Sequence, residues 1–226
     1  MNALAAPSEA FPATSSPGAL HHAAIADMGS AALPAPCLSR AGEVGSRGEG
    51  VALPVSVYCE SPTDAAERDA LLDRAMGPRW KRKSSHKLRR GRVPAHGLAL
   101  VARDGAGGLA GTVRLWDVAV GERGGDGRTR PALLLGPLAV DPARKSAGIG
   151  TMLVRTAIAE ARRRGHGAIL LVGDPSYYQR FGFSADKTGC LAMPGPYERH
   201  RFLALELVAG ALDGACGVLR AAGRMA

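Results

Sequence analysis

An almost unbroken apolar run, Ala132 to Val140, limits what this chain can fold into more than any other feature. A strand with no polar alternation is buried on both faces, which places it centrally in its sheet. Asp141-Pro142 and a short loop follow. A helix-period stripe of Leu153, Val154, Ala157, Ile158 and Ala161 then runs from about Gly148 to Arg164. Arg162 to Arg164 suit the negative end of the helix dipole and Gly165 suits the position just past the helix. A second buried strand is predicted at Ala168 to Val172. Strand, helix, strand at this spacing is a βαβ unit, so two strands pair in parallel or by crossover. The predicted class is α/β (mixed α+β).

The rest of the chain supplies further elements. Val51 to Tyr58 reads as an edge or bulged strand because of Pro54. Ser61-Pro62-Thr63-Asp64 opens a helix through Leu71 and Leu72 that stops at Gly77-Pro78. Strands are predicted at Leu98 to Arg103 and Leu109 to Val118, joined at the turn of Gly105 to Gly108. A glycine-rich loop spans Gly121 to Gly127. Asp174-Pro175 starts a short helix ending before Gly182, and Phe202 to Val208 is a last strand with a short helical tail over 210–226. Residues 1–50 are rich in Ala, Ser, Pro and Gly without a sustained period and read as a disordered leader. Pro7, Glu9 and Pro12 break any signal-peptide core, and acidic residues outnumber basic ones, which argues against a transit peptide.

Charge narrows the ligand class. The formal net charge is +9, and a net −2 over residues 1–50 leaves +11 on the remainder. Such a surface favours an anionic ligand, whether nucleotide, nucleic acid or acidic substrate. No uninterrupted apolar run reaches the length of a transmembrane helix. Cys37, Cys59, Cys190 and Cys216 show neither close pairing nor metal-like spacing, so four free thiols in a reducing, cytoplasmic compartment are expected. His21, His22, His86, His96 and His166 stand in no metal-ligand spacing, and no metal is expected.

The stretch that carries chemistry is Leu138-Ala139-Val140-Asp141-Pro142-Ala143-Arg144-Lys145-Ser146-Ala147-Gly148-Ile149-Gly150-Thr151. A basic, glycine-containing loop joins a buried strand to a helix whose first amides have no intrahelical acceptor. Those amides converge at the positive end of the macrodipole, and the glycines let a phosphate approach. A plainer reading is that Gly148 and Gly150 only allow tight packing. The dinucleotide-binding pattern needs a third glycine where Leu153 stands, and the Walker run of Gly-Lys-Ser/Thr is absent.

Lys145-Ser146-Ala147-Gly148-Ile149-Gly150 resembles the pyrophosphate loop of the GNAT superfamily of acetyl-CoA-dependent N-acyltransferases, with Lys in the place of its usual Gln or Arg. Tyr178-Gln179-Arg180-Phe181-Gly182-Phe183 is similar to that family's tyrosine–glycine–aromatic block, and with Gly173 to Tyr177 resembles a small-N-acetyltransferase subgroup. The resemblance covers roughly Val51 to Val208. It implies a central, mostly antiparallel mixed sheet with a splayed parallel strand pair and helices on both faces. It also implies acetyl-CoA as cosubstrate, held by the backbone of Leu138, Ala139 and Val140 and by Lys145 through Thr151. Direct attack of an amine on the thioester is implied, with Tyr178 as general acid and Tyr177 as second choice. An amide near Val140 is the expected oxyanion donor. Pro137, which cannot donate to a ladder, marks the expected break between the parallel strands.

Other roles stay open. Asp117, Glu122, Asp174, Glu198 and His200 are candidate bases, each of which reads more readily as a solvated or capping residue than as a base. Cys190 has no activating neighbour in sequence. The run Arg79 to Arg92 holds eight basic residues and no acid. It reads as a solvated helix face, as an acceptor site for an acidic amine, or as a nucleic-acid contact with Trp80 stacking on a base. The last gives the alternative function, a nucleic-acid-binding module on a degenerate acetyltransferase scaffold. The expected partners are acetyl-CoA and an amine, with no membrane and with a homodimer left open.

Overall fold

The computed structural model describes residues 54–121 and 129–226. The leader 1–50, the first residues of the predicted strand at 51–58, most of the loop Gly121 to Gly127, and Glu122 lie outside the described residues.

A seven-stranded sheet organises the fold. Its main order is β1 (Ser56–Cys59), β2 (Ala99–Arg103), β3 (Leu109–Val120), β4 (Arg130–Val140), β5 (Ala168–Val172), β7 (Phe202–Glu206). All pairs are antiparallel except β4 with β5. The apolar run is thus a central strand, as its composition requires. Helix α1 (Ala65–Met76) begins after a capping box in which Ser61 N–H donates to Asp64 Oδ2 at 2.8 Å. It ends at Gly77, whose φ of 71° suits glycine.

Alternation along the strands splits the core. On one face Leu100, Val113, Leu115, Leu133 and Leu135 meet Leu153, Val154, Ala157 and Ile158 of α2 (Ile149–Arg163). On the other, Val101 meets Leu71 of α1, and Trp116, Leu134 and Leu170 pack under the C-terminal segment. Gly111 on β3 lies directly against Leu153 and Ile149 of α2. A Cβ there would stand 2.9 Å from Leu153 Cδ1, so glycine lets the helix seat.

Three expectations are corrected. First, the segment behind β7 is not helical. Gly210, Gly214 and Gly217 take positive φ, which interrupts a helix, and the chain forms β8 (Gly217–Val218) and β9 (Arg220–Ala221). β9 pairs with β3. Second, Cys190 and Cys216 are joined by a disulfide. β6 (Leu191–Ala192) pairs in parallel with β8 in the register Leu191↔Gly217, which places the preceding cysteines side by side although 26 residues separate them. Cys59 is the free thiol among the described residues, and the paired Cys190 and Cys216 no longer point to a reducing compartment. Third, the basic run is no continuous solvated helix. It forms two 3-10 turns, Pro78–Arg82 and Ser84–Leu88, which bury Trp80, Leu88 and Arg89.

No helix among the described residues is long and apolar enough to cross a membrane. Among the same residues no cluster of three or more His, Cys, Asp or Glu could hold a metal ion.

Candidate active site

β4 and β5 begin as neighbours and then part. Their parallel pairing covers Leu133↔Ile169 and Leu134↔Leu170 and stops there. On the other side, β4 stays paired with β3 to Val140, but the register shifts so that Val113 faces Leu138 while Leu115 faces Leu135. β4 therefore carries an extra residue at Gly136-Pro137, the bulge that a proline without an N–H demands. Gly136 takes φ 134°, open to glycine and closed to most residues. The indole of Trp116 donates to its carbonyl oxygen at 2.6 Å.

Ladder alternation then fixes which groups of β4 face the gap. Asp141 N–H donates to Ala110 O at 2.9 Å, and Ala139 lies opposite Thr112. Polar groups at 139 and 141 thus point to β3, and those of Leu138 and Val140 point into the gap toward β5. Ala139, expected to share in binding with its two neighbours, is turned away. Its methyl packs with Leu72 and Trp80 on the opposite face.

The loop after β4 is held from outside. Asp141 accepts from Ala143 N–H at 2.9 Å and from Arg74 Nη2 at 3.0 Å, and these bonds hold its carboxyl below the usual range. Arg144 is paired with Asp104, whose carboxyl is held low by Gly108 N–H, by Arg144 and by Ala106 N–H. Beyond that brace, Ser146 (φ 67°) and Gly148 (φ 73°) are both left-handed. These left-handed turns bend the loop back toward the first turn of α2. The first helical bond runs from Met152 N–H to Gly148 O. The amides of Ile149, Gly150 and Thr151 precede that bond, so none of them has a partner four residues back within the helix. Lys145 through Gly148 are exposed. A cradle of this kind, at the N-terminus of a 15-residue helix, can receive an anion.

The two tyrosines divide. Asp174 caps α3 (Pro175–Tyr178), accepting from Ser176 N–H at 3.0 Å, which is the capping role read from its place before proline. From that turn Tyr177 reaches the cradle. A Cβ on Gly150 would lie 2.7 Å from its hydroxyl oxygen, and the Thr151 side chain bonds that hydroxyl. Tyr178 is buried against Gly173 and edge-on to Phe183, with ring centroids 5.7 Å apart. Burial raises the pKa of both phenols, Tyr178 the more, so each keeps its proton at neutral pH.

The other base candidates lie elsewhere or are engaged. Asp117 sits opposite Leu133, seven residues before Val140, roughly 23 Å away along the strand. Glu198 lies beside Arg201 and His200 at the surface.

Sequence reasoning missed a cavity of about 230 Å³ on the α1 side of the gap. Pro137 of the bulge forms one edge, and Trp80, Trp116 and Leu72 give it apolar walls. Arg68 and Arg114 both bond Glu60 beneath it. His86, in the same wall, is lowered by burial and by the nearby cations, which leaves it a neutral proton acceptor at neutral pH. These residues are dispersed over α1, the basic run, β3 and β4, so no local motif announces them.

Comparison with known proteins agrees with this geometry. The acetyltransferase (GNAT) domain family matches residues 95–185. The uncharacterized N-acetyltransferase YhbS of Escherichia coli K12 is 31% identical over 163 residues, spanning 72% of this chain and 93% of that protein. The chain belongs to the GNAT family of N-acetyltransferases. Solved GNAT structures place the fold beside it as well. The E. coli YhbS crystal structure in complex with CoA superposes with a TM-score of 0.62 at 29% identity, covering 78% of this chain and 94% of that one. A GNAT acetyltransferase from Brucella melitensis in complex with acetyl-CoA gives 0.51 at 29% identity, covering 67% and 87%. The mixed sheet with its parted parallel pair, and helices on both faces, is the architecture expected of this GNAT chain.

Proposed function

We propose that this GNAT protein moves an acetyl group from acetyl-CoA to a primary amine by direct attack on the thioester, with no metal. The carrying observation is that β4 leaves its parallel neighbour β5 and runs directly into a glycine-containing loop and the N-terminus of α2, where the amides of 149–151 precede the first helical bond. The CoA and acetyl-CoA complexes of the two GNAT relatives support the choice of donor.

In this reading the loop amides of Lys145 to Thr151 bind the pyrophosphate, and Lys145 adds charge from an exposed position. Acting through backbone groups, the loop tolerates Lys in place of Gln or Arg. Leu138 and Val140 bind the pantetheine arm as an added strand would, through the groups they turn into the gap. The bound donor supplies the activated thioester. Val140 N–H is aimed where negative charge develops on its oxygen. Tyr178 holds the proton for the departing thiolate, and Tyr177, tied to Thr151, is the second choice.

The nucleic-acid alternative finds little to stand on. Trp80, needed there for stacking, is 8% exposed and its indole donates to Asp73 Oδ1 at 2.8 Å. The test is thermal shift with acetyl-CoA, NAD and ATP, together with CoA release on adding amines. A shift with acetyl-CoA alone, and release that depends on the amine, is expected. Nucleic-acid binding without acetyl-CoA turnover would overturn the reading.

A further inference from the structure

Arg89 is a buried cation without a carboxylate. It is 6% exposed, and its Nε and Nη2 donate to Ser85 O and Ser85 Oγ, each at 3.2 Å. Among the described residues no acid lies within ion-pair distance of it, whereas Arg68 and Arg114 share Glu60. Its remaining nitrogen, Nη1, faces the bulge, 3.9 Å from where a Cβ of Gly136 would stand. Burial and the charge of Arg114 lower its pKa to about 10, so it stays charged at neutral pH at a cost to folding. A buried unpaired charge is among the most unfavourable groups a fold can keep. An anion that arrives with a ligand explains why this one is retained.

The cavity gives that anion a place. Arg68, Arg89, Arg90 and Arg114 line it, Asp69 is the one carboxylate in its wall, and Pro137 of the β4 bulge, where β4 leaves β5, forms part of the same wall. We propose that this cavity is the acceptor pocket and that it takes a primary amine of amino-acid size bearing a carboxylate or phosphate, which Arg89 binds. The proposal rests on the donor reading above. Trp80, Trp116 and Leu72 cover the apolar body of such a molecule. The cations also repel an ammonium, so the amine is favoured as the free base, the form that attacks.

The experiment measures kcat/KM by CoA release for matched pairs: phenylalanine and methionine against their amides, and O-phosphoethanolamine against ethanolamine. The anionic member of at least one pair is expected to exceed its neutral partner by about tenfold or more, the scale of one charge-assisted hydrogen bond. The pair that shows it identifies carboxylate or phosphate as the source. Arg89→Met is expected to bring the ratio close to one through KM, and to melt no more than a few degrees below the parent because it removes an unpaired buried charge. Arg89→Lys, which keeps charge but loses the fork, is expected to give an intermediate ratio. No anion preference in any pair, including no acetylation at all while acetyl-CoA still shifts the melting temperature, overturns the pocket. So does a ratio unchanged in both variants, whatever their stability. Failure of acetyl-CoA to bind instead removes the donor reading.

Discussion

Trp116 on β3 donates its indole N–H to the carbonyl oxygen of Gly136 on β4, at 2.6 Å. The bulge turns that carbonyl out of the ladder, and the indole, itself 6% exposed, gives it a partner. One side chain thus satisfies the acceptor that the bulge takes out of the ladder. Trp116→Phe keeps most of the ring and removes the donor. A loss of about 1–3 kcal/mol is expected from the stranded buried acceptor, read from denaturant midpoints. Acetyl-CoA affinity should fall with it, and unchanged affinity would show that the gap does not depend on this bond.

At the cradle, acetyl-CoA at about 100 times its dissociation constant should stabilise the protein by roughly 2.7 kcal/mol. Gly150→Asp is expected to abolish that gain. It sets a carboxylate among the anion-binding amides and drives its Cβ to within 2.7 Å of the Tyr177 hydroxyl. Normal binding by this variant would locate the pyrophosphate elsewhere.

Tyr178→Phe should lower turnover by about 10²- to 10⁴-fold with little change in acetyl-CoA binding. The ring contacts with Phe183 and Gly173 survive, so the melting temperature should barely move. Tyr177→Phe should be milder on rate and should weaken acetyl-CoA binding through the lost link to Thr151. A loss at 177 alone moves the acid by one residue. Full activity in both, under conditions where chemistry is limiting, leaves solvent as the proton source.

Asp104 and Asp141 brace the cradle, and both titrate below the ordinary aspartate value of about 3.9. A depressed folded value means that their stabilisation is complete above that pH and is lost as pH falls through the folded values. Melting temperatures from pH 6 down to pH 3 should therefore drop at the acid end, and Asp104→Asn should flatten the drop. An unchanged profile in the variant would place the acid sensitivity in other carboxylates.

Much of this protein is written in short windows of sequence. The central strand follows from nine consecutive positions, the stripe of α2 from its period, and the caps at Ser61 and Asp174 from one side chain and the turn after it. The loop at the start of α2 was legible for the same reason, because a glycine-containing loop before a helix exposes the first helical amides whatever surrounds it. Tertiary structure decided what depends on distant partners. Strand register sent the amides of Leu138 and Val140 into the gap and Ala139 away from it. The pairing of β6 with β8 brought Cys190 to Cys216, and the pairing of β9 with β3 took the tail that reads as helix. Packing of a basic run against Trp116 and Pro137 buried Arg89 without a carboxylate. A local pattern states what a segment prefers, but burial and charge pairing are properties of what the finished fold sets against it.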